Sequence, residues 1–119
     1  MTPTVLRDSL RLARTDGIGP VAFRRLLARY HTPAAAIDAL PGLSRAGGRA
    51  QSPVVPPPAS ADREISALAK LGGQFLVYGQ PGYPALLALL DDAPPLLAVL
   101  GDPTCLGQKC VALVGSRNA

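Results

Sequence analysis

The chain has 119 residues, 48% of them hydrophobic, with twelve basic and eight acidic side chains and a formal charge of +4. A chain of this length buries roughly two thirds of the surface its unfolded form exposes, which excludes wholesale disorder. Thirteen prolines, twelve glycines, two phenylalanines, three tyrosines and no tryptophan exclude an aromatic-built β-sandwich and suit a helical or mixed fold with much punctuation.

Residues 1–50 carry eight arginines (Arg7, Arg11, Arg14, Arg24, Arg25, Arg29, Arg45 and Arg49) against Asp8, Asp16 and Asp38, a net +5. Residues 51–119 carry Arg63, Lys70, Lys109 and Arg117 against five acids, a net −1. A basic half joined to a near-neutral half points to two modules, the first a candidate for polyanion contact. The same charge also serves solubility alone. The longest apolar runs, 85–90 and 94–100, are far short of the ~20 residues that span a bilayer. Arg7 and Asp8 interrupt the N-terminus before a signal-peptide stretch forms. A soluble, cytoplasmic chain without membrane association is the expectation.

In chain order, Leu6, Leu10 and Ala13 share a helical face beside a stripe of Arg7, Arg11 and Arg14. Asp16-Gly17-Ile18-Gly19-Pro20 ends that helix and starts a second, with Pro at its first position. Phe23, Leu26, Leu27 and Tyr30 form the second helix's apolar face, flanked by Arg25 and Arg29. Thr32 before Pro33 predicts the N-cap of a third helix running to about Leu40, stopped by Pro41-Gly42. A short helical piece is expected over 43–49, ending at Gly47-Gly48.

Residues 51–59, with Pro56-Pro57-Pro58, read as a proline-rich linker between a helical domain (1–50) and a second domain (60–119). There the spacing predicts a helix over 60–71 capped by Ser60, a strand over 75–78, a helix over 83–90 and strands over 96–100 and 111–114. Continuous apolar strands between helices predict a parallel, Rossmann-like sheet, hence an α+β or α/β fold behind the small helical domain. The chain stops five residues after the last strand. A three-stranded sheet would keep an exposed edge, so the front part of a longer protein is expected.

Two places could hold a phosphate. Gly17-Ile18-Gly19 resembles a helix-hairpin-helix turn, whose glycines admit a nucleic-acid backbone to the amides of the next helix, with Arg24 and Arg25 one turn on. Pro20 removes one of those donors, and such a turn also serves purely structural bundles. The second place is the run from Val111 into Gly115-Ser116-Arg117. An apolar strand ending in Gly, a hydroxyl and a guanidinium suits phosphate at a strand's C-terminal end, and an ordinary loop equally.

The remaining reactive side chains assemble no catalytic constellation. His31, the single histidine, stands in an inter-helix turn, where a capping role is expected. Cys105 and Cys110 lack the partners of a metal site, and Asp91-Asp92 adjoins a Pro-Pro turn. No cofactor, metal or enzymatic activity is expected.

Tyr83-Pro84-Ala85-Leu86-Leu87, Asp91-Asp92-Ala93-Pro94-Pro95-Leu96-Leu97, Leu100-Gly101-Asp102 and the 111–118 run ending Val114-Gly115-Ser116-Arg117-Asn118 stand in one order and spacing. Together they resemble the DNA-processing protein A family (DprA, also called Smf), and the first half is similar to that family's sterile-alpha-motif-like (SAM-like) helical domain with its Gly-Ile-Gly turn. The resemblance implies a non-enzymatic, single-stranded-DNA-binding protein of natural transformation. Such a protein protects the incoming strand, delivers it to the recombinase RecA and is a homodimer when full length. It also implies that Gly115, Ser116 and above all Arg117 contact DNA. A nucleotide-binding, Rossmann-like hydrolase and a protein–protein adaptor acting through the helical domain are the competing readings.

Overall fold

The computed structural model describes residues 2–46 and 53–101, with the side chains of 44–46 excepted. Its elements run α1 (Pro3–Ala13), α2 (Pro20–Tyr30), α3 (Pro33–Ala46), α4 (Pro58–Lys70), β1 (Gly73–Val77), α5 (Ala85–Ala88) and β2 (Leu96–Leu100).

Helices α1 to α4 each start with a proline, which supplies its fixed φ at a position that lacks a backbone partner anyway. Thr2 caps α1 by accepting the Val5 N–H at 3.2 Å, and Thr32 caps α3 by accepting the Ala35 N–H at 3.2 Å. The α1–α2 turn closes with Gly17 at φ 83° and the Ile18 N–H donating to the Thr15 carbonyl.

Helix α1 is buried on two sides. Leu12 joins Phe23, Leu26, Ala36 and Leu40 in one core, with Ile18, Leu27, Leu43 and Val55 around it. Leu10 turns the other way, into a second core with Ala61 of α4 and Phe75 of β1, supported by Leu6, Ile65, Leu68 and Leu96. The face predicted from Leu6, Leu10 and Ala13 is divided: Leu6 and Leu10 serve the second core and Ala13 packs on the first. Ser9 lies between them, fully buried, and its hydroxyl has no hydrogen-bond partner among the described residues.

Several expectations are corrected. Helix α3 continues through Pro41 to Ala46, because Leu40 and Leu43, three apart, both pack on the first core and hold the turn that the proline weakens. The predicted piece over 43–49 merges with α3 as far as Ala46, and Gly47-Gly48 lies outside the described residues. Helix α4 begins at Pro58, with Pro57 as its cap residue in place of Ser60. The Ser60 N–H instead donates to the Pro57 carbonyl at 3.0 Å. The proline stretch before it is fastened to the helices: Val55 packs on the first core and the Pro56 carbonyl accepts from Arg11 Nε at 2.9 Å.

The sheet departs most from expectation. β1 and β2 pair antiparallel, from Gly73 opposite Leu100 to Val77 opposite Leu96, and the Tyr78 N–H extends the ladder to the Pro95 carbonyl. A parallel pair needs a crossover that is normally a full helix. Residues 78–95 hold Pro81, Pro84, Pro94 and Pro95 and form only the single turn of α5, not the helix to Leu90 that was predicted. The chain therefore returns beside β1 by turns. Continuous apolar character misled here because β2 is only half-buried, with Leu100 at 64% exposure. The predicted strand over 111–114 lies outside the described residues.

Candidate nucleic-acid interface

The arginine stripe of α1 is engaged by the opposite helix. Arg7 Nε donates to Asp62 at 2.8 Å, and Arg14 donates to both carboxylate oxygens of Glu64 at 3.1 Å each. Arg11 holds Asp8 at 3.1 Å as well as the Pro56 carbonyl. Of the basic half, Arg7, Arg11 and Arg14 are thus held by partners on α4, on α1 itself and on the proline strap. The two acids of α4 belong to the near-neutral half of the sequence, yet they sit where the basic half needs them.

The surface of α2 is different. It carries Arg24, Arg25 and Arg29 and no acidic residue. Arg25 and Arg29 are exposed and have no carboxylate partner among the described residues. Arg29 rests over the ring of Tyr30 at 5.2 Å. Gly19 is the N-cap of α2, in an extended conformation with no side-chain cap. A methyl group added there would meet nothing within 4 Å. The N-cap of α2 therefore has open space beside it and no side chain capping the helix start, where an anion could approach.

Arg24, predicted beside Arg25 as a DNA contact, has other work in this fold. Its Nη1 donates to the carbonyls of Leu90 and Asp91 at 2.7 and 2.8 Å. Its guanidinium also covers the Tyr78 ring at 4.7 Å. Tyr83 meets Tyr78 edge-on, with centroids 5.5 Å apart and planes at 75°, and its hydroxyl donates to the Pro94 carbonyl at 2.7 Å. Burial first, and the neighbouring Tyr78 second, push the Tyr83 hydroxyl up to about 12 against the opposing pull of Arg24. This clasp joins α2 to the end of β1 and to the turn before β2. No sequence signal marks Arg24 and Tyr78 as partners, because 54 positions separate them. Beside the clasp lies an open cleft of about 810 Å³, bounded by Arg24, Arg25, His31, Tyr78, Gln80 and Asp91.

His31 ends α2 as expected of a cap, with φ 70° and its N–H donating to the Leu27 carbonyl at 2.8 Å. Asp91 and Asp92 are exposed. Among the described residues no three His, Cys, Asp or Glu side chains gather as a metal site would need, and no helix is long and apolar enough to cross a membrane. Cys105, Cys110, Gly115, Ser116 and Arg117 lie outside the described residues.

Comparison with known families decides the relationship. Residues 5–67, more than half of the chain, match the DprA-like N-terminal HHH domain, and residues 74–119 match DNA recombination-mediator protein A. The chain belongs to the DprA family. The first DprA match runs on past the proline strap into α4, the helix that Asp62 and Glu64 tie to α1, and the second opens in β1. The relationship to DNA recombination is therefore a family property of both parts. No curated protein matches the chain.

Proposed function

We propose that this chain is a single-stranded-DNA-binding, non-enzymatic part of a recombination mediator that protects the strand during natural transformation and passes it to the RecA recombinase. The observation that carries the reading is the pair of family matches, one to each part of the chain and in the family's order. In this reading Gly115 lets a phosphate approach the backbone, Ser116 donates a hydroxyl hydrogen bond, and Arg117 grips the phosphate oxygens with its fork. Gly17 and Gly19 with Arg25 offer a second, weaker contact at the start of α2. Its support is the open helix start and the exposed, acid-free face of that helix. The full-length protein acts as a cytoplasmic homodimer.

Fluorescence anisotropy of a labelled oligothymidylate, titrated with the full chain over a series of salt concentrations, tests the reading. Each single-strand phosphate contact contributes a slope of about −0.7 in log affinity against log salt. Arg117→Ala should weaken binding and flatten that slope by one contact. The rate of RecA filament growth on the same oligonucleotide should rise when the chain is present. Salt-independent binding, or an Arg117→Ala variant that binds like the parent, overturns the reading.

A further inference from the structure

The cleft beside the Arg24 clasp is where the described part of the molecule combines an aromatic ring, an exposed cation and base-reading polar groups. Tyr78 is a half-buried residue on the wall of the cleft, its ring already fixed by the Arg24 guanidinium over it and by the edge contact with Tyr83. Arg24 is in turn held by two main-chain carbonyls. Ordering a side chain on binding costs free energy, and here that ordering is complete before any ligand arrives. Arg25, the next residue on α2, is exposed and has no carboxylate partner among the described residues.

Gln80 and His31 stand on the same walls, the first with an amide that can both donate to and accept from a base edge. Asp91 is the one acid on the rim, set against Arg24 and Arg25, so the walls favour an anion. The cleft is a trough open to solvent, not a closed chamber. That shape suits a strand passing through more than a small molecule enclosed on all sides.

We propose that this trough seats one nucleotide of a single DNA strand, its base stacked at Tyr78 and its phosphate on Arg25. The inference rests on the DNA-binding reading above and adds to it a site built from α2 and the segment after β1, from residues other than Gly115, Ser116 and Arg117. Stacking on an aromatic side chain is tolerant of sequence, because every base has a flat face. The site would thus add affinity without sequence preference.

Photocrosslinking tests it with the full chain and an oligothymidylate carrying 5-iododeoxyuridine. The crosslinked peptide recovered by mass spectrometry should contain Tyr78. In anisotropy titrations Tyr78→Leu should weaken binding by roughly tenfold, the scale of one lost stack, and Tyr78→Phe should bind like the parent. Arg25→Ala, a change on the exposed face of α2, should remove about 0.7 from the salt slope. If the chain binds the strand with its full salt slope, crosslinks only outside the trough and binds equally well as Tyr78→Leu, the trough is not a DNA site and the contacts of the broader reading stand. If the chain binds no single strand at all, both fall.

Discussion

Arg14 of α1 and Glu64 of α4 face each other through two N–H···O bonds of 3.1 Å, across fifty positions of sequence. Both side chains are more than two fifths exposed, so the pair adds at most about 1 kcal/mol to stability. Its larger effect is on the charge that the surface presents. Asp62→Asn with Glu64→Gln would free Arg7 and Arg14 while costing little stability. The double variant should bind oligothymidylate several-fold more tightly at low salt and show a steeper salt dependence. Unchanged anisotropy curves would mean that these arginines lie out of reach of any bound strand.

Two glycines should respond in opposite directions. A Cβ on Gly73 would stand 2.8 Å from the Val99 carbonyl of the paired strand and 2.7 Å from Leu68 Cδ1. Main chain cannot yield cheaply, so Gly73→Ala should cost about 1–3 kcal/mol in urea unfolding. Gly19 has open space and an extended N-cap conformation. Gly19→Ser should supply the missing cap and stabilise by a few tenths of a kcal/mol or more. If a phosphate approaches that turn, the same variant should bind DNA more weakly although it melts higher.

His31 is the one non-glycine residue with positive φ among the described residues, at 70°. With ψ at −30°, that sparsely populated conformation costs an L-residue on the order of 1–3 kcal/mol. His31→Gly should therefore raise the thermal midpoint, and His31→Ala should not. A lower midpoint for the glycine variant would show that the imidazole makes a contact worth more than the strain.

The periodicity of apolar residues and the proline and glycine punctuation made α1, α2 and the start of α3 legible, including the Thr32 cap and the capping place of His31. What was not legible depends on partners distant in sequence. Pro56-Pro57-Pro58 reads as a break, but a proline at a first helical position is also a beginning, and α4 starts at the third of them. Pro41 reads as a stop until Leu43 is seen to pack on the same core as Leu40. The strands were identifiable but their direction was not, since apolar content does not say which strand lies alongside. Charge counting found the basic half and could not see that Asp62 and Glu64 fold back onto it. Of the candidate site, the Gly17–Gly19 turn and Arg25 were readable; the engagement of Arg24 and the ring of Tyr78 were not.

Tyr83 supplies a pH test. Its hydroxyl is raised to about 12 in the fold from the ordinary value near 10. The folded state therefore holds its proton more tightly than the unfolded state. That contribution is complete below about pH 10 and is lost as pH rises from about 10 to 12. Tyr83→Phe loses the bond to the Pro94 carbonyl, about 1 kcal/mol at neutral pH. It should also show a shallower loss of stability than the parent across that alkaline window. Parallel curves for the two proteins would assign the alkaline loss to other groups.

The double burial of α1 bears on how the chain acquires its structure. Leu12 needs partners from 23–43 and Leu10 needs partners from 61–96. Helix α1, synthesised before the elements that cover it, thus stays incompletely enclosed until the last of them has formed. Until residue 96 has emerged, one of its sides stays wet, with Leu10 and the unpartnered Ser9 hydroxyl both open to solvent. Both cores then close around a single rod, and loosening either one exposes a side of the helix on which the other depends.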